Sequence, residues 1–327
     1  MTKKQIATSL ASLLTLMAAV SVTADEVPVS AQIVDAMNKL YGVHPGFRAV
    51  HAKGVVVEGS FKSSAEARRL SRAKLFSGHP IPVTVRFSDG GGAPDAPDGS
   101  PDSNPHGIAV KFHLPDGSDT DMELQAFKFF PVGTGEDFRD LLQAILASPP
   151  DAPKPTKFDQ FVAAHPNAPK AFGSVATPDS FADEEYYSVN AFVFVNKAGH
   201  KQAVRYVAMP EKLVHLTPDE AGKKAPDFLV DELPTRIAQR PVVFHLKAQL
   251  AGPGDPTNDA SRPWPETRKV VELGVLTLTK SVPDSRAAQK ELQFMPTNLT
   301  DGIELSDDPL VVVRAAAYAV SIARRSQ

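Results

Sequence analysis

The 327-residue chain contains no cysteine. That absence excludes disulfides, thiolate metal ligands, cysteine-held iron–sulfur clusters and a cysteine nucleophile, so any redox chemistry needs other ligands. Long apolar runs are also scarce. The one at the start, Leu10 to Val22, is broken by Ser and Thr and falls short of the about 20 apolar residues that cross a bilayer. There is no excess of positive charge to attract nucleic acid or an anionic membrane. Familiar catalytic motifs are missing too: no H-E-x-x-H, no G-x-S-x-G and no Walker loop. The Gly90-Gly91-Gly92 run lacks the strand-to-helix setting of a dinucleotide fingerprint.

Lys3 and Lys4, the short apolar run and Val22-Thr23-Ala24 ahead of Asp25 read as a secretory signal peptide over residues 1–24. The expected location is therefore periplasmic or secreted, with no membrane span in the mature form. Of 35 Lys and Arg against 38 Asp and Glu, loss of Lys3 and Lys4 leaves 33, a net charge of −5. The remaining residues, 25–327, are expected to form one α+β domain. Eight β-rich runs stand out: Val55–Phe61, Ile81–Ser88, Gly107–Leu114, Met122–Phe127, Val189–Asn196, Gln202–Ala208, Val242–Leu250 and Val270–Thr279. Helical spacing over Glu136–Leu146 and Pro155–Ala164 separates them into two groups of four. A closed barrel accommodates such a length as one domain. The loops Asp89–Pro105, Ser148–Pro155 and Ala251–Pro265, rich in Pro, Gly and Asp, read as surface connections. A last helix is expected after Ser306 as N-cap, with Arg324 and Arg325 at its C-terminal end.

Two stretches carry chemistry. Phe47-Arg48-Ala49-Val50-His51-Ala52-Lys53-Gly54 offers a cation and an imidazole at a strand entrance. Arg314-Ala315-Ala316-Ala317-Tyr318 puts a guanidinium and a phenol on one helix face. Both resemble the haem catalase family. So do Arg86-Phe87-Ser88, His106-Gly107-Ile108-Ala109-Val110-Lys111-Phe112, Phe129-Phe130, Tyr187-Ser188-Val189-Asn190 and Met295-Pro296, in the family's order over roughly residues 43 to 325.

The resemblance implies an antiparallel eight-stranded β-barrel with surrounding helices and a heme b cofactor whose iron is held by Tyr318. Arg314 would be the partner of Tyr318, making a charge-assisted bond that favours the phenolate. His51 would be the base above the iron, with Ser88 holding its other ring nitrogen. Arg48, Arg86 and Arg325 would meet the two haem propionates, and Phe138 would stack on the haem face. His106 and His113 read as structural.

Two departures from the family bear on activity. Registering on Phe129-Phe130 places Gln125 where the family has a distal Asn, one methylene longer, and a one-residue slip would put Leu124 or Ala126 there instead. The sequence also stops just after the axial helix, without the family's wrapping segment and C-terminal helical domain, as in catalase-related peroxidases. The haem edge is then expected to be more open, and any homo-oligomer would form without the segment through which the large relatives build tetramers. The implied function is a peroxidase acting on hydrogen peroxide or organic hydroperoxides with a small organic reductant, with weak catalase activity. The alternatives are a hydroperoxide isomerase or dehydratase and a non-catalytic haem-binding barrel.

Overall fold

The computed structural model describes residues 27–326; the expected leader and the cleavage point before Asp25 lie outside the described residues. In chain order, α1 (Val29–Tyr41) precedes β1 (Gly54–Ser63), α2 (Ala65–Leu70), β2 (Pro80–Ser88), β3 (Gly107–His113) and β4 (Asp119–Gln125). A helical stretch follows: α3 (Gly135–Leu146), α4 (Lys157–Ala164) and α5 (Ala168–Phe172). Next come β5 (Thr177–Pro178), β6 (Tyr186–Tyr187), β7 (Phe192–Val195), β8 (Lys201–Pro210), β9 (His215–Leu216), α6 (Pro218–Ala221) and α7 (Phe228–Gln239). The chain ends with β10 (Val242–Leu250), β11 (Val270–Ser281), α8 (Ser285–Glu291), β12 (Ile303–Leu305) and α9 (Pro309–Arg325).

Eight strands close on themselves in the order β10-β11-β1-β2-β3-β4-β6-β8, and β8 pairs back to β10. All these pairs are antiparallel. Closure leaves no edge along the barrel wall, so its backbone groups find partners without solvent. The run expected over Val189–Asn196 forms β7, which lies outside this ring and pairs with β8 and β12. The ring is completed instead by the two residues of β6, too short for any periodicity to reveal.

Side chains alternate across each strand. Val57, Phe61, Val83, Val85, Phe87, Ile108, Val110, Phe112, Met122 and Leu124 turn inward to one core cluster. Their neighbours turn outward, and on β2, β3 and β4 several of them line a cavity outside the barrel. A second apolar cluster joins Phe127, Phe129, Phe130 and Leu310, with Phe138 packed on it. A third joins Ile33 and Ala36 of α1 to Leu142 of α3, with Phe138 and Val313 against it.

Local signals explain the helix starts. Thr134 caps α3 by accepting from Asp137 N at 3.1 Å, so Gly135 is inside the helix. Thr156 and Asp159 form a reciprocal capping box on α4. The expected cap of the last helix is corrected: Asp308, not Ser306, accepts from Leu310 N at 2.9 Å. The carboxylate sits closer to the first free N–H groups. The loop after β2 is corrected as well, because Asp98 within it is fully buried. Its carboxylate accepts from Leu229 N at 2.7 Å and meets Lys53 at 2.5 Å, pinning the loop against α7.

Phe61 is fully buried and packs its ring 5.3 Å from Phe112 and 6.5 Å from Phe76. Phe61→Ala should lose about 3–5 kcal/mol in urea unfolding followed by circular dichroism. A loss below about 1 kcal/mol would mean that the barrel interior is not the main core.

Candidate active site

Strand register assembles one wall of the site. Gly54 pairs with Ser88, Ser88 with Gly107, Gly107 with Gln125 and Gln125 with Tyr187, so the ends of five strands lie in one row. Two residues along, Arg86 pairs with Ala109 and Ala109 with Glu123. A step of two keeps the same face, so Ser88, Arg86, Gln125 and Glu123 all line one cavity outside the barrel. His51 hangs over this row from the segment before β1. Its φ of 54° is unusual for a residue with a side chain, and its Nδ1 lies 3.1 Å from Ser88 Oγ. A Cβ on Gly107 would come within 3.1 Å of the His51 ring, and one on Gly54 within 2.8 Å of the Arg86 guanidinium. Both glycines are therefore places where functional side chains lie against bare backbone.

Burial first, and then Arg86, push the His51 imidazole down to about 3; Asp89 acts in the opposite direction. His51 is thus a neutral imidazole throughout the physiological range. In the tautomer that carries its proton on Nδ1, beside Ser88 Oγ, Nε2 is left as the acceptor.

Helix α9 forms another wall. Arg314 Nη2 lies 3.3 Å from Tyr318 Oη, the expected i, i+4 pair. Behind it, Arg314 donates to Asn190 Oδ1, Asn190 Nδ2 donates to Asp308 Oδ2 at 2.7 Å, and Asp308 caps the same helix. Burial raises the Tyr318 phenol above its ordinary value while Arg314 opposes the rise. Arg314 alone does not make a phenolate; a bound cation would have to do so.

Arg48, Arg86 and Arg325 converge on the same cavity. Arg48 Nη2 and Arg325 Nη2 both donate to Leu292 O, at 2.7 and 3.0 Å. Arg86 donates to His51 O and to Gln289 Oε1, each at 2.7 Å. Among the described residues none of the three has an ion pair with a carboxylate. Burial, and then each other's charge, push Arg48 down to about 7 and Arg86 to about 9. Three unpaired guanidiniums in an apolar cavity are stable together only with an anionic partner of more than one charge. Phe138 adds an aromatic ring to the lining, 5.0 Å from Phe130. This donor set, with a phenol beside a guanidinium, fits a dianionic metal macrocycle such as haem. No cluster of three or more His, Asp or Glu among the described residues is arranged to hold a metal ion directly.

Every sequence-predicted site residue lines this cavity: His51, Ser88, Gln125, Arg48, Arg86, Phe138, Arg314, Arg325 and Tyr318. Gln125 lines the cavity, and Leu124, which also borders it, packs into the barrel core. His113 is structural as expected, bound to Thr84 Oγ1 at 2.9 Å and Asp119 Oδ1 at 2.8 Å. The open edge is not found on the α1 side: Ile33, Val34, Met37 and Tyr41 line the cavity. Three contributions escaped sequence reasoning. Helix α1 had no signal attached to the site. Gln289 and Leu292, at the end of α8, brace the arginines through groups any sequence supplies. Glu123, by contrast, was visible as a charge in an apolar strand; burial pushes it up to about 8, and neither oxygen has a hydrogen-bond partner.

Comparison with known proteins agrees with this arrangement. The catalase family model matches residues 33–326. A catalase-related peroxidase of Mycolicibacterium paratuberculosis is 36% identical over 300 residues, 90% of this chain and 94% of that one. A catalase-related peroxidase of Synechococcus elongatus is 35% identical over 301 residues, covering 90% and 88%. A catalase of Pseudomonas syringae pv. syringae is 29% identical over 293 residues, 83% of this chain and 56% of its own. In fold, a crystal structure of a fungal catalase superposes with a TM-score of 0.76 at 20% identity, covering 86% of this chain and 59% of that chain. The chain belongs to the catalase family, whose members are oxidoreductases acting on peroxide.

Proposed function

We propose that this protein is an exported haem b peroxidase that reduces hydrogen peroxide or organic hydroperoxides with a small organic reductant, and dismutates hydrogen peroxide only weakly. The observation that carries it is the pairing of a neutral, Ser-held imidazole on the barrel wall with an Arg-held phenol on α9, in one cavity that also gathers three unpaired guanidiniums. Tyr318 Oη would hold the iron, Arg48, Arg86 and Arg325 the two propionates, and Phe138 the macrocycle's face. Haem would supply the redox-active iron at which the peroxide O–O bond is broken.

The protein's part is proton management. Heterolysis requires a proton to leave the inner peroxide oxygen and arrive on the departing one. His51 Nε2 would take it and give it back, while Ser88 Oγ keeps Nδ1 protonated so that Nε2 stays basic. Such transfers contribute about 10² to 10⁴ in rate. Arg314 stabilises the phenolate form of Tyr318, and its own orientation is fixed through Asn190 and Asp308. Dismutation additionally needs a second peroxide placed against His51 and a neighbouring amide. Gln125 reaches one methylene further than the family's Asn, and misplacement of this kind can cost on the order of 10²-fold.

Four outcomes are expected. The purified mature protein should begin near Asp25 and show a high-spin ferric haem spectrum. In Tyr318→Phe, haem should be lost or its spectrum altered; an unaltered spectrum would remove Tyr318 as the ligand. His51→Ala should retain haem yet react with peroxide at least about 10²-fold more slowly in stopped flow, and an unchanged rate would remove His51 from the reaction. Oxidation of an aromatic reductant should exceed oxygen evolution in the same preparation. Oxygen evolution near about 10⁸ M⁻¹s⁻¹ with negligible reductant oxidation would identify an ordinary catalase instead. Rearranged hydroperoxide formed without reductant consumption would identify an isomerase.

A further inference from the structure

Beside Gln125 the wall carries an oxidisable ring that the proton transfer just described does not use. In β6, Tyr186 turns into the barrel core, so Tyr187 turns to the outer face. Its ladder partner there is Gln125, which lines the cavity. Directly opposed residues share a face with Cβ atoms about 5 Å apart, so the Tyr187 side chain starts next to the site. Tyr187 is half-buried, and its hydroxyl donates to Oε2 of the equally half-buried Glu185. Solvent therefore reaches this pair from outside the cavity.

A phenol gives up an electron readily only where its proton can leave with it, because a phenol that has lost one electron is a strong acid. The hydroxyl's partner therefore decides which ring is oxidised. The chain has five Tyr and one Trp. Tyr186 donates to Phe181 O at 2.8 Å and Trp264 Nε1 to Pro256 O at 2.7 Å, and neither carbonyl is basic enough to take a proton. Tyr318 faces Arg314, which has donors only. Tyr41 and Tyr206 have no hydrogen-bond acceptor for the hydroxyl among the described residues. Of the six rings, Tyr187 places its proton against a carboxyl group that can receive it. Burial, and then Glu185, hold this phenol above its ordinary value, so the ring keeps its proton until it is oxidised. Two connections lead inward. One is the ladder pair with Gln125; the other runs along the chain to Asn190, whose Oδ1 accepts from Arg314, and Arg314 Nη2 lies 3.3 Å from Tyr318 Oη. Electrons tunnel better along bonds and hydrogen bonds than across gaps, and the second route ends on the phenol assigned to the iron.

We propose that Tyr187, with Glu185 as its base, is a second oxidation site for the reductant, at which a phenol or aryl amine too large for the cavity is oxidised by one electron at the protein surface. Peroxide takes up two electrons and two protons as its O–O bond breaks. Tyr187 sends one electron inward and passes its hydroxyl proton to Glu185, which leaves a neutral phenoxyl radical. The donor gives an electron to that radical, Glu185 returns the proton, and the donor's own proton goes to solvent. Two turns of this cycle reduce one hydrogen peroxide to two waters, convert two donors to their radicals and restore the site.

This inference rests on the haem peroxidase reading of the cavity, and the test separates the two. The holoenzyme is mixed with hydrogen peroxide without reductant, freeze-quenched and read by electron paramagnetic resonance. Wild type should show a tyrosyl radical, identified by the narrowing that ring-deuterated tyrosine causes, and Tyr187→Phe should lose it. Glu185→Gln keeps the size of the partner but cannot take the proton, so it should lose the radical with Tyr187 still in place, which a merely structural role would not do. Guaiacol and a phenol coupled to dextran are then compared as reductants. In Tyr187→Phe, oxidation of the dextran-bound phenol should be lost relative to that of guaiacol, which is small enough for the cavity's edge. No tyrosyl signal in wild type, a signal that persists in Tyr187→Phe, or two reductants that change in parallel or not at all overturns the proposal while the haem spectrum still supports the function. If Tyr187→Phe fails to fold, Glu185→Gln decides alone: an unchanged radical overturns it. A wild-type chain that takes up no haem overturns the proposed function, and this site with it.

Discussion

The site depends on positive charge gathered where, among the described residues, no carboxylate pairs with it. Arg48 acts on both reactive groups at once: together with Arg86 it disfavours a proton on His51, and together with Arg314 it favours loss of one from Tyr318. A neutral imidazole and an ionised phenol are opposite demands in protonation, yet one set of guanidiniums favours both, because a cation opposes every bound proton nearby. Anions entering beside Arg48, Arg86 and Arg325 would weaken that influence. His51 would nevertheless remain neutral, since burial is the largest cause of its low pKa and an arriving macrocycle buries it further.

The barrel's contribution is registration. Four outward-facing positions on β2 and β4 reach the cavity only because pairing places Ser88 opposite Gly107 and Gly107 opposite Gln125. A slip of one residue would turn Phe87 and Leu124 to the cavity and bury Arg86 and Gln125 in the core. The ten or so apolar side chains on the inner face prevent that slip, so the core that stabilises the fold also sets the chemistry of the opposite face.

Much of this was legible beforehand, and for identifiable reasons. The barrel was legible through the family resemblance, with which the eight β-rich runs agree in number, and seven of them became ring strands. The eighth failed because β6 is two residues long and its place is fixed by pairing with Gln125 and Val207, not by its own pattern. Tyr318 and Arg314 were legible because helix spacing alone brings them together. His51 and Ser88 lie 37 residues apart and were legible only through family resemblance. Gln289 was not legible at all, since its bond to Arg86 spans 203 residues and nothing in the sequence distinguishes this Gln from any other on a helix.

Helix α1 closes one side of the site. It lays Ile33, Val34, Met37 and Tyr41 over the cavity, and Arg324 of α9 fastens that helix through Asp35 at 2.7 Å. That bond is half exposed and contributes little by itself; the apolar contacts with Leu142 and Val313 hold the helix in place. The cover is one apolar helix face, so opening the cavity on this side would expose Ile33 and Ala36 together with Leu142. A peroxidase of the kind proposed would keep His51 behind this wall and meet its reductant at the cavity's edge.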